Sequence, residues 1–200
     1  MSHDDDIARA VHAANTGDER AFAVLWRCLN PALLRYLRVI VGDAADDVAS
    51  ETWLQAARDL HRFTGDGPAF RGWLFRIARN RAIDEQRRAG RRPEHPTDTI
   101  TDAAAGTPAR DAAAEAFEGS DTTWALSRIA ALPTDQAEAV MLRVVAGLDV
   151  ATTARVLGKR PGAVRVATMR GLHRLAADPQ VQARNPVVPT PAHVIRTEGV

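Results

Sequence analysis

The chain has 200 residues, a formal net charge of +1 and one cysteine, and 46% of its residues are hydrophobic. This length suits one large or two small domains, and a single cysteine excludes an internal disulfide framework and a multi-cysteine zinc site. No apolar run approaches the roughly 20 residues of a membrane span, and the acidic N-terminus does not have the character of a signal peptide. A soluble, cytoplasmic protein without a membrane partner is expected.

The balanced net charge hides a strong asymmetry along the chain. Residues 71–92 carry eight basic and two acidic side chains, and residues 155–174 carry six basic side chains and no acid. Between these blocks, residues 93–121 carry seven acids and one arginine. Basic blocks of this kind are candidate surfaces for binding phosphates.

The N-terminal part is predicted to be helical, because apolar residues recur at helical spacing and do not alternate with polar ones. A first helix begins at the acids Asp4 to Asp6 and ends near Ala14. Asp18 caps a second helix, in which Pro31 either interrupts the helix or starts a new turn. Gly42 ends the apolar stripe of this segment.

Two further helices complete the N-terminal part. One runs from Ala44 to Leu60, and a turn, FTGDGPA, separates it from a helix that starts near Phe70. The core stripe of the latter helix consists of Phe70, Leu74, Ile77 and Ala78, whereas Phe75 lies off this stripe.

Residues 93–121 are rich in Pro, Thr, Asp and Ala and contain almost no large apolar residues. Such a segment buries too little surface to offset the cost of ordering it, which predicts a flexible, acidic linker. A second helical domain starts near Thr122. In this domain Pro133 opens a helix with Val140 and Val144 on its apolar face, and Gly147 ends it.

The segment GLDVATTARVLGKRPGAVRVATMRGLHRLA, residues 147–176, has the pattern of a helix-turn-helix. Gly158 supplies the positive φ of the turn. The predicted core-facing residues are Ala154, Val164, Leu172 and Leu175. The outer face of the second helix carries Arg165, Val166, Met169 and Arg170, and such a face fits the major groove of DNA. The alternative is an ordinary helical hairpin with a basic surface.

Two long stretches carry a family resemblance. Residues 20–92, which include DDVASETWLQA and FRGWLFRIARN, and residues 131–176 resemble regions 2 and 4 of extracytoplasmic-function (ECF) sigma factors of bacterial RNA polymerase, in the sigma-70 family. The resemblance implies an all-α fold of two small helical domains joined by a flexible acidic linker. Region 2 is expected at residues 1–92, the linker at 93–121, the region 4 helix-turn-helix at 122–177 and a C-terminal tail at 178–200.

The resemblance implies a docking site for core RNA polymerase on the helix matching DDVASETWLQA. The implied polar contacts are Asp46, Asp47, Glu51 and Gln55. The alternative is that these side chains are solvated residues near a helix N-terminus, where the helix dipole stabilises acids.

The next loop and helix are implied to hold the melted −10 promoter element. The implied pocket for an unstacked base comprises Phe63, Thr64, Gly65, Asp66 and Asn80. The implied phosphate contacts are Arg76, Arg79, Arg81, Arg87 and Arg88. Single-stranded DNA is bound by such cationic grooves with aromatic platforms. Trp73 either stacks on a base or packs in the core.

Region 4 is implied to read the −35 element as duplex DNA through Arg160, Arg165, Val166, Met169 and Arg170. The chain departs from the family here: Val166-Ala167 stands where a serine-arginine pair is common, and Ala151-Thr152 where acids are common. The missing arginine removes a phosphate or base contact.

The function that the resemblance implies is promoter recognition and strand opening in transcription initiation, with core RNA polymerase and promoter DNA as partners. An anti-sigma factor is a further partner by resemblance only. The acidic linker either mimics nucleic acid in polymerase channels or is a solvated spacer. The alternative function is a stand-alone helix-turn-helix transcriptional regulator with an N-terminal protein-interaction domain.

No enzyme and no cofactor or metal is expected from the sequence. Cys28 lies among apolar residues, which favours a buried small hydrophobe over a nucleophile. The six histidines are scattered without metal-type spacing, and the sequence contains no Walker loop, triad motif or paired catalytic carboxylates.

Overall fold

The computed structural model describes residues 3–91 and 119–184, and within these ranges the regular structure is helical throughout, which confirms the all-α prediction. The helices are α1 (His3–Asn15), α2 (Glu19–Val41), α3 (Ala45–Asp59), α4 (Gly67–Ala89), α5 (Ser120–Ala130), α6 (Thr134–Val140), α7 (Val150–Leu157), α8 (Pro161–Ala177) and α9 (Pro179–Arg184). Single 3₁₀ turns lie at Gly42–Ala44 and Leu60–Arg62, and a π-helical turn at Met141–Val145. None of the helices in the described ranges has the length and hydropathy of a membrane span.

Helices α1 to α4 form the N-terminal bundle. Asp18 caps α2, because its carboxylate accepts hydrogen bonds from the backbone N–H groups of Arg20 and Ala21 at 2.8 and 3.2 Å. Of the two alternatives at Pro31, the interruption does not occur, since α2 continues through this proline as one helix of 23 residues. The turns on both sides of Pro31 are packed in the core, and this packing outweighs the missing hydrogen bond, a penalty of about 3 kcal/mol.

Helix α4 begins at a cap formed by Asp66, whose carboxylate accepts from the N–H of Ala69 at 2.8 Å. The predicted core stripe is confirmed, since Phe70, Leu74, Ile77 and Ala78 are all buried. Phe75, which lies off this stripe, is also fully buried, and its ring meets Tyr36 edge to face at 5.6 Å between centroids. The reason is that α4 packs against α1, α2 and α3 and also against α7, so it is covered on more than one side.

Helices α5 to α8 form the C-terminal domain, and the first of them begins at Ser120. The predicted burial of Val144 is wrong, because this side chain is 60% exposed, while Val145 is half-buried against the core. The π-helical turn explains the change: it adds a residue to the turn and rotates the following positions around the axis.

The helix-turn-helix consists of α7, a turn at Gly158 and α8. Gly158 has the predicted positive φ, at 64°. The buried face of α8 carries Val164, Ala167 and Gly171. Leu172 is 43% exposed and not core-facing, because α8 approaches α6 at Gly171, where an added Cβ would lie 2.8 Å from Val140 Cγ2.

The two domains share one hydrophobic core. Helices α5 and α6 pack against α2, and α7 packs against α4. The predicted linker lies outside the described residues except for its last three, 119–121, and the predicted tail does so from residue 185 onwards. The described part of the tail is α9, which returns to α5: the Arg184 guanidinium lies 4.7 Å from the ring centroid of Trp124 and pairs with Asp121.

Candidate nucleic-acid and protein interfaces

One face of α3 is acidic and open to solvent. Asp46, Asp47 and Glu51 are exposed, and Gln55 is half-buried. The opposite face is anchored in the bundle, where the buried Trp53 donates from Nε1 to Asn30 Oδ1 at 2.9 Å. The four residues predicted to contact polymerase therefore lie on the outside of a rigidly held helix.

An apolar residue lies within this acidic face. Leu54 is 58% exposed and shares an open groove of about 370 Å³ with Asp47, Glu51 and Glu85. The prediction from sequence missed Leu54. Its spacing was the available signal, because residues 47, 51 and 54 follow one another at intervals of four and three on a helix.

Two residues predicted to bind different partners contact each other. Arg81, a predicted DNA contact, donates from Nε and Nη2 to Oε1 of Gln55, a predicted polymerase contact, at 3.0 and 2.9 Å. Arg81 Nη1 also lies 3.7 Å from Glu51 Oε2. In this structure Arg81 therefore ties α4 to the acidic face of α3.

The outer surface of α4 carries a line of predicted DNA contacts. Trp73, Arg76, Asn80 and Arg87 are spaced by three, four and seven residues, which places them on one side of the helix. Arg76, Asn80 and Arg87 are exposed. Trp73 is half-buried and packs against Phe63 and Phe70, with centroids 5.2 and 5.5 Å apart. Trp73 thus has a packing role and retains some exposed surface.

The predicted base pocket before α4 is built on a buried aromatic floor. Phe63 is only 9% exposed, whereas Thr64, Gly65 and Asp66 are exposed. A crevice of about 200 Å³ runs from Phe63 and Trp73 to Arg76 and α7, and an open cavity of about 420 Å³ lies on the Arg62 side. The exposed Arg62 was missed from the sequence, although it immediately precedes the predicted loop.

Besides Arg81, three of the predicted phosphate contacts on α4 have carboxylate partners. Arg79 Nε lies 2.8 Å from Glu138 Oε1 in α6, and this glutamate is also 3.5 Å from the hydroxyl of Tyr36. Burial of Tyr36, with the nearby charge of Glu138, raises the pKa of its hydroxyl far above the ordinary value of 10.0. Arg87 and Arg88 form exposed pairs with Asp84 and Glu85 at 3.7 and 3.4 Å.

Helix α8 presents an open mixed surface. The residues predicted to read duplex DNA, Arg160, Arg165, Val166, Met169 and Arg170, are all exposed. Val166 and Met169 are 42% and 53% exposed. Arginines with apolar side chains between them suit base edges in the major groove, where guanine offers acceptors and thymine a methyl group.

The first helix of the helix-turn-helix, α7, begins at a cap formed by Asp149. The Asp149 carboxylate accepts from the N–H and the hydroxyl of Thr152 at 2.8 and 2.7 Å. These hydrogen bonds, first of all that from the backbone, lower the pKa of Asp149 below its ordinary value of 3.8. The cap therefore fixes the start of α7.

Both domains match known families. The profile described as Sigma-70 region 2 matches residues 25–92, and the profile described as Sigma-70, region 4 matches residues 123–175. A fold of two helical domains with these matches defines the class as a sigma-70-type transcription initiation factor. The alternative of a stand-alone regulator is not supported, because the N-terminal half is itself a sigma domain.

Individual relatives narrow the class. The chain is 37% identical over 189 residues to "ECF RNA polymerase sigma factor ShbA" of Streptomyces griseus, covering 86% of this chain and 94% of that protein. It is 35% identical over 173 residues to "ECF RNA polymerase sigma factor SigD" of Mycobacterium tuberculosis, covering 82% and 80%. The chain belongs to the ECF sigma factors of the sigma-70 family.

A solved structure shares the fold. CnrH, solved in complex with the cytosolic domain of CnrY, matches with a TM-score of 0.60 and 27% identity, covering 86% of this chain and 96% of CnrH. The sigma factor RpoE of Bartonella quintana, at 22% identity and a TM-score of 0.60, has a similar fold.

Proposed function

We propose that this ECF sigma factor docks on core RNA polymerase through the outer face of α3, with Asp46, Asp47, Glu51 and Gln55 as polar contacts. The observation that supports this assignment is the exposure of the acidic face on a helix whose opposite side is locked in the bundle. Leu54 supplies an apolar centre to the same surface. An exposed apolar residue ringed by charges is typical of a protein interface.

The −10 element is bound as single strands by α4 and the loop before it. Phe63 forms the floor, Thr64, Gly65 and Asp66 form the rim, and Asn80 lies along the helix. Trp73 uses its exposed edge as a platform while its other side stays packed. The cations along the strand are Arg76, Arg79, Arg81, Arg87 and Arg88. Support comes from the line of exposed residues on α4 and from the cavities on both sides of Trp73.

The −35 element is read by α8 in the major groove. The residues of α8 that contact base edges or the neighbouring phosphates are Arg165, Val166, Met169 and Arg170. Arg160, at the helix N-terminus, contacts a phosphate. The exposure of the four side chains on α8, and of Arg160 directly before it, supports this role.

The protein acts as a DNA-binding subunit and not as a catalyst, and it acts in the cytoplasm, where core polymerase and the chromosome meet. We also propose an anti-sigma partner, because CnrH was solved with a bound partner domain. The domain limits at residues 92 and 122 remain predictions.

Transcription in vitro tests the function. A pool of templates with randomised upstream sequence is transcribed by purified core RNA polymerase with and without the protein. We expect new start sites only with the protein, preceded by two shared sequence elements. The variant Arg9→Ala changes an exposed arginine on α1, outside the proposed interfaces, and serves as a control for loss of surface charge. It should direct the same start sites as wild type. Tight DNA binding by the protein alone, without directed initiation, would contradict the proposal.

A further inference from the structure

Helix α1 contributes no residue to the interfaces proposed above, yet it lies against both ends of the loop assigned to the −10 base. The loop runs from Phe63 to Asp66, between the 3₁₀ turn and the start of α4. At its first end, Asn15, the last residue of α1, donates from Nδ2 to the carbonyl oxygen of Phe63 at 3.1 Å. The N–H of Phe63 donates to the carbonyl oxygen of Leu60 at 2.8 Å. Both backbone groups of Phe63 therefore have fixed partners.

At the other end of the loop, the start of α4 lies directly against the backbone of α1. Gly67, the first residue of α4, is buried. A Cβ built on it would lie 2.6 Å from the carbonyl oxygen of Asp4 and 3.2 Å from the backbone nitrogen of Ala8. Only glycine permits so close an approach. One turn further along α4, Arg71 Nη2 pairs with Asp4 Oδ1 at 2.8 Å, which holds the same two helix ends together.

These two contacts restrict the path of the loop. Ala8 and Asn15 are seven residues apart, which is about 10 Å along the axis of α1. The chain from Phe63 to Gly67 can span at most about 14 Å, so it has little freedom while both ends are held. Within the loop, Gly65 lies against the floor of the pocket, since a Cβ built on it would be 2.9 Å from Phe63 Cζ.

Helix α1 is a rigid support for this loop. It packs against α2 and α4, and its buried apolar side consists of Ile7, Ala10, Val11 and Ala14. The loop residues Thr64, Gly65 and Asp66 are exposed. An exposed loop keeps a defined shape when a packed element of the fold holds it in place.

We propose that α1 is a positioning element for the −10 pocket and that Asn15 is a positioning residue for selection of the −10 base. Asn15 acts by holding the carbonyl group of Phe63, which sets the position of the aromatic floor. The contact at Gly67 sets the point where the rim joins α4. Selective sites need their groups held within about 0.5 Å of the productive geometry. The inference rests on the proposed function, because it assigns a support to the same pocket.

The variant Asn15→Leu tests the contact between α1 and the loop. Leucine has the same branched shape as asparagine but carries no N–H donor and no charge. Asn15 is exposed, so the variant should fold. Asn15→Gln keeps an amide donor on a side chain one methylene longer and should retain the wild-type behaviour. Thr16→Val is the matched control, because the neighbouring Thr16 donates its hydroxyl to Ala13 within α1.

Amide hydrogen exchange measures whether the loop is held. Residues 60–70 include the hydrogen-bonded N–H groups of Phe63, Ala69 and Phe70. In Asn15→Leu these groups should exchange about two- to tenfold faster, the range for loss of one net hydrogen bond, while α8 keeps its rates. An unchanged rate in residues 60–70, or an equal increase along the whole chain, would overturn the proposal.

Base selection is the functional readout. Templates randomised in both promoter elements are transcribed by core polymerase with each variant. Asn15→Leu should lower the preference for the favoured base at the most selective −10 position by about two- to tenfold and leave the −35 preferences unchanged. A merely structural role would reduce transcription from all templates alike. Unchanged −10 preference, equal relaxation of both elements, or the same loss in Asn15→Gln would contradict the role of Asn15.

A second variant acts at the other end of the loop. Gly67→Ala places a methyl group against the backbone of Asp4 and should displace the start of α4 from α1. We expect faster exchange in residues 60–70 and the same relaxed −10 preference as in Asn15→Leu. Gly90→Ala, at the opposite end of α4, is the control and should change neither quantity. Full −10 preference in Gly67→Ala would mean that α1 does not position the pocket.

The two readouts separate this inference from the proposed function. If wild type selects no −10 sequence with core polymerase, the proposed function fails. The exchange rates of residues 60–70 then still show whether α1 holds the loop. If wild type selects a −10 sequence and Asn15→Leu selects it equally well, the proposed function stands and the positioning role fails.

Discussion

The two basic helices, α4 and α8, carry their arginines in different ways. On α4, Arg79 is paired with Glu138, Arg81 with Gln55 and Glu51, and the exposed Arg87 and Arg88 with acids one turn earlier. On α8, Arg165 and Arg170 lie exposed beside Val166 and Met169. The surface proposed for single strands must therefore exchange internal partners for phosphates, whereas the surface proposed for duplex DNA is already presented.

This difference has a physical basis. Helix α4 is part of the core of one domain and also the contact surface for the other, so its side chains are engaged on several sides. Helix α8 contacts its own domain along a narrow stripe of small residues, Val164, Ala167 and Gly171, and the rest of its surface is open.

The largest effect is expected from a substitution on the buried side of α4. Phe75→Ala should lower the free energy of unfolding by about 3–5 kcal/mol, because a fully buried ring is replaced by a cavity. Met169→Ala, the comparable truncation on the open face of α8, should change it by less than about 0.5 kcal/mol. Urea unfolding followed by circular dichroism measures both. Similar losses for the two variants would contradict the comparison.

The next effect concerns DNA recognition by the open surface. Arg165→Ala should cost about 1–3 kcal/mol of binding and relax selection at one position of the upstream element. Arg87→Ala on α4 should instead weaken DNA binding about equally across sequences. The slope of the logarithm of the binding constant against the logarithm of salt concentration should fall by about one, the value for one phosphate contact. Selection from randomised templates at two salt concentrations distinguishes the two. A uniform loss for Arg165→Ala would reassign it to a phosphate.

A smaller effect is expected at the acidic face that α4 shares with α3. Asp47→Asn with Glu51→Gln should weaken core polymerase binding by about tenfold, because two interface charges are lost, while unfolding stays cooperative at nearly the same urea concentration. Glu19→Gln with Asp135→Asn removes the same charge from exposed sites elsewhere and is the control. Unchanged polymerase affinity would mean that these acids only stabilise the N-terminal part of α3 and pair with Arg81, and do not contact polymerase.

The smallest effect is expected at the cap that starts α7. Asp149→Ala should destabilise the C-terminal domain by about 1 kcal/mol. The folded pKa of Asp149 is lowered, so its contribution is complete above the ordinary pKa of 3.8 and is lost as pH falls through the lower folded value. Thermal unfolding of both proteins at neutral and acidic pH measures this. A difference that persists below the folded pKa would contradict the cap assignment.

Several local features could be predicted from sequence. The cap at Asp18, the turn at Gly158 and the exposed face of α8 depend on neighbours within a few residues. Other features could not be predicted, because they depend on distant residues. Phe75 is buried by Tyr36, and Val144 is exposed because a π-helical turn shifts its register.

The sequence by itself determined the two helical domains, the helix-turn-helix and the family, because periodicity, capping residues and turn glycines act over short distances. Only the tertiary structure decided which arginines are engaged, since Arg79 finds its partner 59 residues away and Arg81 finds Gln55 26 residues away. It also decided that α7 lies against Gly72. Such pairings follow from the packing of whole helices, and no local pattern encodes them.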